Sequence, residues 1–244
     1  MYTIRIMTYN IHRCQGMDGR TDPSRVLEVI SRAGPDIVAL QEVAGLLDGD
    51  QAAWLGNRLA MNYYGPTTPD GNAFLSYYPL RSVRHLDLQE GSCLCADVNI
   101  VGKSLHLFNV RLHENNQQRR CQIARLLDEK EGIRMHSPGC PVLLLGDFAD
   151  RFWPLSQGML LPALRLARRP FWPGTFPAWL PFYGRDRIYF GGQLRVIDAR
   201  IYWSALARRA SSHLPLLLTV RVADPRNYLQ VKGVKRRCME IAPG

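Results

Sequence analysis

Apolar and polar positions along the chain fall into short blocks whose period changes several times. Ile4, Ile6 and the positions up to Ile11 read as a first strand. Asp22-Pro23 then reads as a helix cap followed by proline at the first helical position. Val26, Leu27, Ile30 and Ala33 follow at helical spacing, and Gly34-Pro35 closes that helix. The apolar run at 36–40 predicts a buried strand, 50–61 a helix, and 71–77 and 93–100 two further strands. SLHLFNVRL at 104–112 alternates cleanly, so it is a strand, and 115–131 carries Ile123, Leu126 and Leu127 at the spacing of a surface helix. PVLLLG at 141–146 predicts a strand ending at Asp147, and 155–168 a short helix. The prolines of 170–184 mark a structured loop, and strands are predicted at 186–190, 194–203 and 213–222.

About nine strands interleaved with single helices point to one layered α/β domain, with two packed sheets and helices outside. No repeat, linker or low-complexity stretch divides it. The domain is placed at 1–223, with a basic tail at 224–244 that contains KGVKRR. No apolar run reaches about 18 residues, so no transmembrane helix is expected. The first residues alternate like a strand and lack a signal peptide's apolar core.

Charge changes the picture. The formal net charge is +10, and it is uneven: residues 151–244 hold 16 basic against 4 acidic side chains. Such asymmetry suits an anionic partner, nucleic acid or anionic lipid, as well as a plain solvated surface. RRPFW at 168–172, near Trp179, mixes cations with rings that could stack on bases, although core aromatics flanked by surface arginines are the commoner case. The six cysteines fit no zinc spacing, so reduced, mostly buried thiols and a cytoplasmic location are expected. Cys93 and Cys95, two apart on one strand, should face the same side.

Functional groups gather at strand ends: Asn10 after the first strand, Gln41-Glu42 after the second, Gly146-Asp147, Asp186 opening its strand and His213 opening the last. Each alone is commonly a turn, a cap or a solvated group. As a set they are oxygen-rich with one imidazole, which suits a hard ion such as Mg²⁺ and proton transfer to or from a phosphoryl group.

At these residues a resemblance becomes specific. TYNIH at 8–12, PDIVALQEV at 35–43, GNAFLSYYPL at 71–80, VLLLGDFAD at 142–150, TFPA at 175–178 with RDRIYF at 185–190, and SSHLPL at 211–216 resemble, in order, the motifs of the endonuclease/exonuclease/phosphatase superfamily. Its members include deoxyribonucleases, abasic-site endonucleases, sphingomyelinases and inositol-polyphosphate phosphatases. The resemblance implies a deoxyribonuclease-like four-layer sandwich with mostly antiparallel sheets, and a phosphodiesterase or nuclease-type hydrolase dependent on Mg²⁺ or Mn²⁺. It implies Glu42 and Asn10 for the metal, Asp147 to orient or activate water, and His213 supported by Asp186 against the scissile phosphate. Arg111 and Asn72 would bind the phosphate-ester substrate, and a monomer is expected.

Three positions depart from the family pattern: Arg111 stands where it has His, Ala149 where GDFN has Asn, and Ser212 where SDH has Asp. Arg111 cannot exchange a proton near neutral pH, yet it can hold a phosphate bidentately. Asp150 is a carboxylate near enough in sequence to compensate as a ligand. The sequence thus carries two readings: a phosphoesterase of weakened activity, or an inactive relative that binds a phosphate-bearing ligand, nucleic acid or anionic lipid.

Overall fold

A computed structural model of the chain describes residues 3–45, 50–66, 70–100, 102–136, 139–150, 155–167 and 174–222. The basic tail and the RRPFW stretch lie outside the described residues. Among them, twelve strands form two mixed six-stranded sheets. The first sheet contains β1 (Thr3–Asn10), β2 (Ile37–Val43), β3 (Asn62–Tyr64), β4 (Gly71–Ser76), β11 (Leu194–Ile201) and β12 (Leu216–Val222), in the order β11-β12-β1-β2-β4-β3. The second contains β5 (Leu80–Asp87), β6 (Ser92–Ile100), β7 (Lys103–Arg111), β8 (Val142–Asp147), β9 (Arg165–Leu166) and β10 (Asp186–Gly191), in the order β5-β6-β7-β8-β10-β9.

Each sheet has one parallel pair at its centre, β1 with β2 and β7 with β8, and every other pairing is antiparallel. A parallel pair needs a crossover, supplied by α1 (Pro23–Ala33) in the first sheet and α3 (Asn116–Leu126) in the second. The two sheets therefore repeat one topology although the sequence shows no repeat.

Three apolar layers hold the stack. Ile4, Phe74, Leu94, Leu145 and Leu218 belong to the core between the sheets. Val26, Ile30 and Leu55 join the outer face of the first sheet to α1 and α2 (Gln51–Leu59). Ile123, Leu126 and Leu160 do so for the second, with α3 and α4 (Leu155–Leu160). α1 forms where expected: the Asp22 side chain accepts from Ser24 N–H, Pro23 sits at the first turn, and Gly34 ends it in the left-handed region.

A polar stitch crosses the inner core near one end. Gln41 donates to Asn109 Oδ1 at 2.7 Å, and Asn109 donates to the Leu40 and Ala73 carbonyls at 2.9 Å each. All are buried, and each bond joins one sheet to the other.

Several sequence expectations are corrected. The helix expected at 115–131 spans only Asn116–Leu126, and the short helix expected at 155–168 is present but ends at Leu160 and is followed by β9. The last strand starts at Leu216, leaving His213 in the loop before it. Strands β3, β5 and β9 went unforeseen, and each is a sheet edge. Cys93 and Cys95 do share a face, with their sulfurs 3.7 Å apart. Of the described cysteines, Cys14, Cys93 and Cys95 are buried, and all five are free thiols. No helix among the described residues is long and apolar enough to cross a membrane.

Candidate active site

The carboxyl ends of the two parallel pairs meet at one rim of the sandwich. In register, Asn10 lies beside Gln41 and Arg111 beside Asp147. Gly146 makes the second pairing possible: a Cβ there would come 1.9 Å from the Val110 carbonyl oxygen, and its φ is +143°. At the end of β2 the register breaks between Leu40 and Val43, and Glu42 adopts φ +52°. A left-handed glutamate costs roughly 1–2 kcal/mol, and here the bulge re-aims the carboxylate into the rim.

Asn10 ties the sheets together. Its Nδ2 donates to Glu42 Oε1 at 3.0 Å and to Asp147 Oδ2 at 3.1 Å. Its Oδ1 accepts the His12 backbone N–H, which fixes the amide's orientation. Arg111 Nε donates to the same Glu42 oxygen at 3.0 Å. Asp147 is fully buried; its Oδ1 accepts from Ala149 N–H at 2.8 Å. Arg185 reaches it with Nε on Oδ1 at 3.3 Å and Nη2 on Oδ2 at 3.1 Å, while its Nη1 donates to Glu114 at 2.9 Å.

On the other flank His213 Nδ1 lies 2.8 Å from Asp186 Oδ2. A carboxylate can only accept, so Nδ1 carries a proton, and Nε2 lies 3.9 Å from Asp147 Oδ2. The TFPA segment holds this pair in place. Thr175 Oγ1 accepts from Asp186 N–H, the Thr175 carbonyl accepts from Leu214 N–H, and Phe176 packs against the imidazole with ring centres 4.8 Å apart.

The charges shape one another. Burial is the largest influence on the Glu42 and Asp147 carboxylates and opposes their charge. It is outweighed for Glu42 by Arg111, the Asn10 hydrogen bond and His213 together, and for Asp147 by Arg185, His213 and the Ala149 N–H together, so both are held below the usual carboxylate range. Burial also opposes a charged His213, yet Asp186 and then Asp147 overcome it and raise its pKa, with Arg185 pulling the other way.

The rim opens into a cleft of about 510 Å³, lined by cationic or imidazole groups (His12, Arg111, His113, Arg185, His213) and by Glu42, Glu90 and Glu114. Asn10, Glu42, Asp147, Asp186, Arg111 and His213 therefore converge as the sequence suggested, though spread from residue 10 to residue 213. Asn72 does not join them. It is buried, its amide donates to the Ser92 and Asn109 carbonyls, and its Oδ1 accepts from Ser92 Oγ. Both amide hydrogens are spent on holding the sheets together, so it has none for a substrate. Asp150 is also elsewhere: it is fully buried and paired with Arg119 and Arg187. Sequence reasoning missed Arg185, His12 and Phe176. A signal existed for Arg185, the cation immediately before Asp186 at the opening of a strand.

A family model described as "Endonuclease/Exonuclease/phosphatase family" matches residues 7–213. The chain belongs to the endonuclease/exonuclease/phosphatase family. Solved structures of the family's fold agree with the sandwich. An endonuclease/exonuclease/phosphatase from Beutenbergia cavernae DSM 12333 matches with TM-score 0.74 at 21% identity, over 91% of this chain and 72% of that one. The human Nocturnin catalytic domain with bound sulfate anion matches with TM-score 0.72 at 20% identity, over 91% and 95%. D. rerio TDP2 complexed with single strand DNA product matches with TM-score 0.71 at 15% identity, over 91% and 100%. No curated protein matches the chain by sequence.

Family membership implies a divalent cation, and the donor atoms test that implication. A hard cation needs oxygen ligands that other positive groups have not taken. Glu42 Oε1 already accepts from Asn10 and Arg111, and Asn10 turns its oxygen away to His12 N–H. Both oxygens of Asp147 are engaged beneath Arg185, and Ser212 offers a hydroxyl where the family pattern has a carboxylate. No group of three or more His, Cys, Asp or Glu among the described residues is arranged to hold a metal ion. Glu42 Oε2 is the one carboxylate oxygen of this set with no hydrogen bond among the described residues, and a single free carboxylate oxygen does not make a site for a resident Mg²⁺ or Mn²⁺.

Proposed function

We propose that the cleft is a phosphate-ester site and the chain a phosphoesterase of weakened activity. The observation that carries this reading is the meeting of Arg111, Arg185 and the Asp186-held His213 around one cleft. Two guanidinium groups present planar donors matched to phosphate oxygens. His213, kept in one tautomer by Asp186, aims Nε2 inward, where as an imidazolium it donates to an oxygen of the ester as negative charge grows there. Asp147 supports Asn10 and Arg185 rather than facing the cleft. Asn10 in turn holds Glu42, and Glu42 orients Arg111.

Activity should be low for stated reasons. Loss of one oxyanion donor, as at Ala149, costs on the order of 10²–10³ in rate. A second reading, ligand binding without turnover, is favoured by the way Arg185 caps Asp147, which leaves no free base at that carboxylate. The positive charge of residues 151–244 supports a polyanionic partner, nucleic acid before lipid, for either reading.

The deciding experiment is hydrolysis of bis(p-nitrophenyl) phosphate by wild type, His213→Ala and Asp186→Asn, in EDTA, Mg²⁺ and Mn²⁺. The hydrolase reading expects the His213→Ala rate to fall by about 10²-fold or more. A wild type no faster than His213→Ala in every condition leaves only the binding reading.

A further inference from the structure

We propose that Arg111 and Arg185 stand in the place of the family's divalent cation, so that the cleft binds phosphate directly on guanidinium donors. This rests on the phosphate-ester reading of the cleft and says how that group is held.

Three observations carry it. First, the charges match: the Glu42 and Asp147 carboxylates face two guanidinium groups, the same positive charge as one divalent ion. Second, neither arginine is a loose surface side chain. Arg185 is about nine-tenths buried, bonded to both oxygens of Asp147 and to Glu114, and its guanidinium lies 4.9 Å from the centre of the Phe176 ring. Arg111 stands in register with Asp147 across β7 and β8, at the carboxyl end of the parallel pair. Third, both keep donors for a ligand. Arg111 spends only Nε, on Glu42, and its two terminal nitrogens make no hydrogen bond among the described residues. Arg185 has one hydrogen left on each terminal nitrogen after Asp147 and Glu114 are served.

The exchange changes what the site can do. A guanidinium donates in-plane hydrogen bonds to phosphate oxygens and cannot act as a Lewis acid toward water. Binding then survives removal of divalent ions, and added ions gain nothing. Freeing the carboxylates should work in reverse: without the arginines, Glu42 and Asp147 become an anionic pair suited to a hard cation.

The test uses the full chain with inorganic phosphate as the probe, followed by calorimetry in EDTA and again in Mn²⁺. Free Mn²⁺ is followed separately by electron paramagnetic resonance. We expect phosphate affinity in EDTA within about twofold of that in Mn²⁺. Arg111→Gln should weaken it by about tenfold or more. Arg111→Gln/Arg185→Gln should gain Mn²⁺ binding that a further Glu42→Gln abolishes. Circular dichroism checks each fold. Should the double variant fail to fold, the wild-type arms and Arg111→Gln, at a half-exposed position, still decide. Phosphate binding that appears only with Mn²⁺, or wild-type Mn²⁺ binding abolished by Glu42→Gln, overturns the replacement and leaves the phosphate-ester reading standing. A folded double variant that gains no Mn²⁺ also overturns it. Phosphate binding in neither arm overturns that reading and this inference with it.

Discussion

Replacing Arg185 with methionine should destabilise the protein severely, for a reason specific to Asp147. Methionine keeps much of the stem's volume but removes both hydrogen bonds to a carboxylate with no solvent exposure. Breaking a buried pair from one side leaves an uncompensated charge, at about 3–5 kcal/mol. The bond to Glu114 adds little, because that carboxylate is 52% exposed and such pairs are worth about 0–1 kcal/mol. In a chain of this size the melting temperature should fall by about 6–20 °C. Urea unfolding followed by tryptophan fluorescence reads the loss directly. Adding Asp147→Asn removes the stranded charge, so the double variant should regain about 2 kcal/mol over Arg185→Met alone. Acid supplies a second check. Arg185 holds the folded Asp147 pKa below its unfolded value, so its contribution is present above the unfolded pKa and lost as pH falls through the folded one. The gap between wild type and Arg185→Met should therefore narrow in acid. A loss below about 1 kcal/mol with no recovery in the double variant would refute the argument.

Asp186→Asn should lower the His213 pKa, read by NMR titration of the imidazole; because the folded value is raised, the stability this pair adds is present at low pH and fades as pH rises through that value. An unmoved titration would remove Asp186 from the role of anchoring the ring. Gly146→Ala should cost at least about 3 kcal/mol in urea unfolding, since its methyl would collide with the Val110 carbonyl; a loss under half of that would mean the β7–β8 pair can yield. Binding of a polyanion such as single-stranded DNA should weaken steeply between low and moderate salt, by calorimetry or fluorescence anisotropy; a flat dependence would make the positive charge of residues 151–244 mere surface.

The central strands were legible because they are buried on both faces: β2, β4 and β8 read as apolar runs with hardly an exposed position. The strands that escaped notice are edges. β5 reads LRSVRHLD, with charges that suit an unpaired border and no apolar alternation to reveal it, and β3 and β9 are three and two residues long. In the site, positions fared better than partnerships. Asn10, Glu42, Asp147, Asp186 and His213 stand at strand ends or in the loops beside them, so sequence could place them together. That Arg185 would turn onto Asp147 depends on the antiparallel register of β10 with β8, which sets residue 186 against residue 147 and is not written in local spacing. Asn72 misled for the complementary reason: a polar residue in a motif near the site can serve the frame instead.

The stitch of Asn72, Gln41 and Asn109 bears on how such a cleft can be rebuilt over evolutionary time. Its buried amides bond to backbone, to one another and to the hydroxyls of Thr8 and the partly buried Ser92, and none of these bonds uses Glu42, Arg111, Asp147 or Arg185. Strand ends mounted on such a frame keep their places whatever groups they display. Substitutions at 111, 149 and 212 can then accumulate as separate steps, whereas 185 is tied to the buried Asp147 and changes only at a cost. A lineage can pass from one way of gripping an anion to another while the fold that presents the grip stands still.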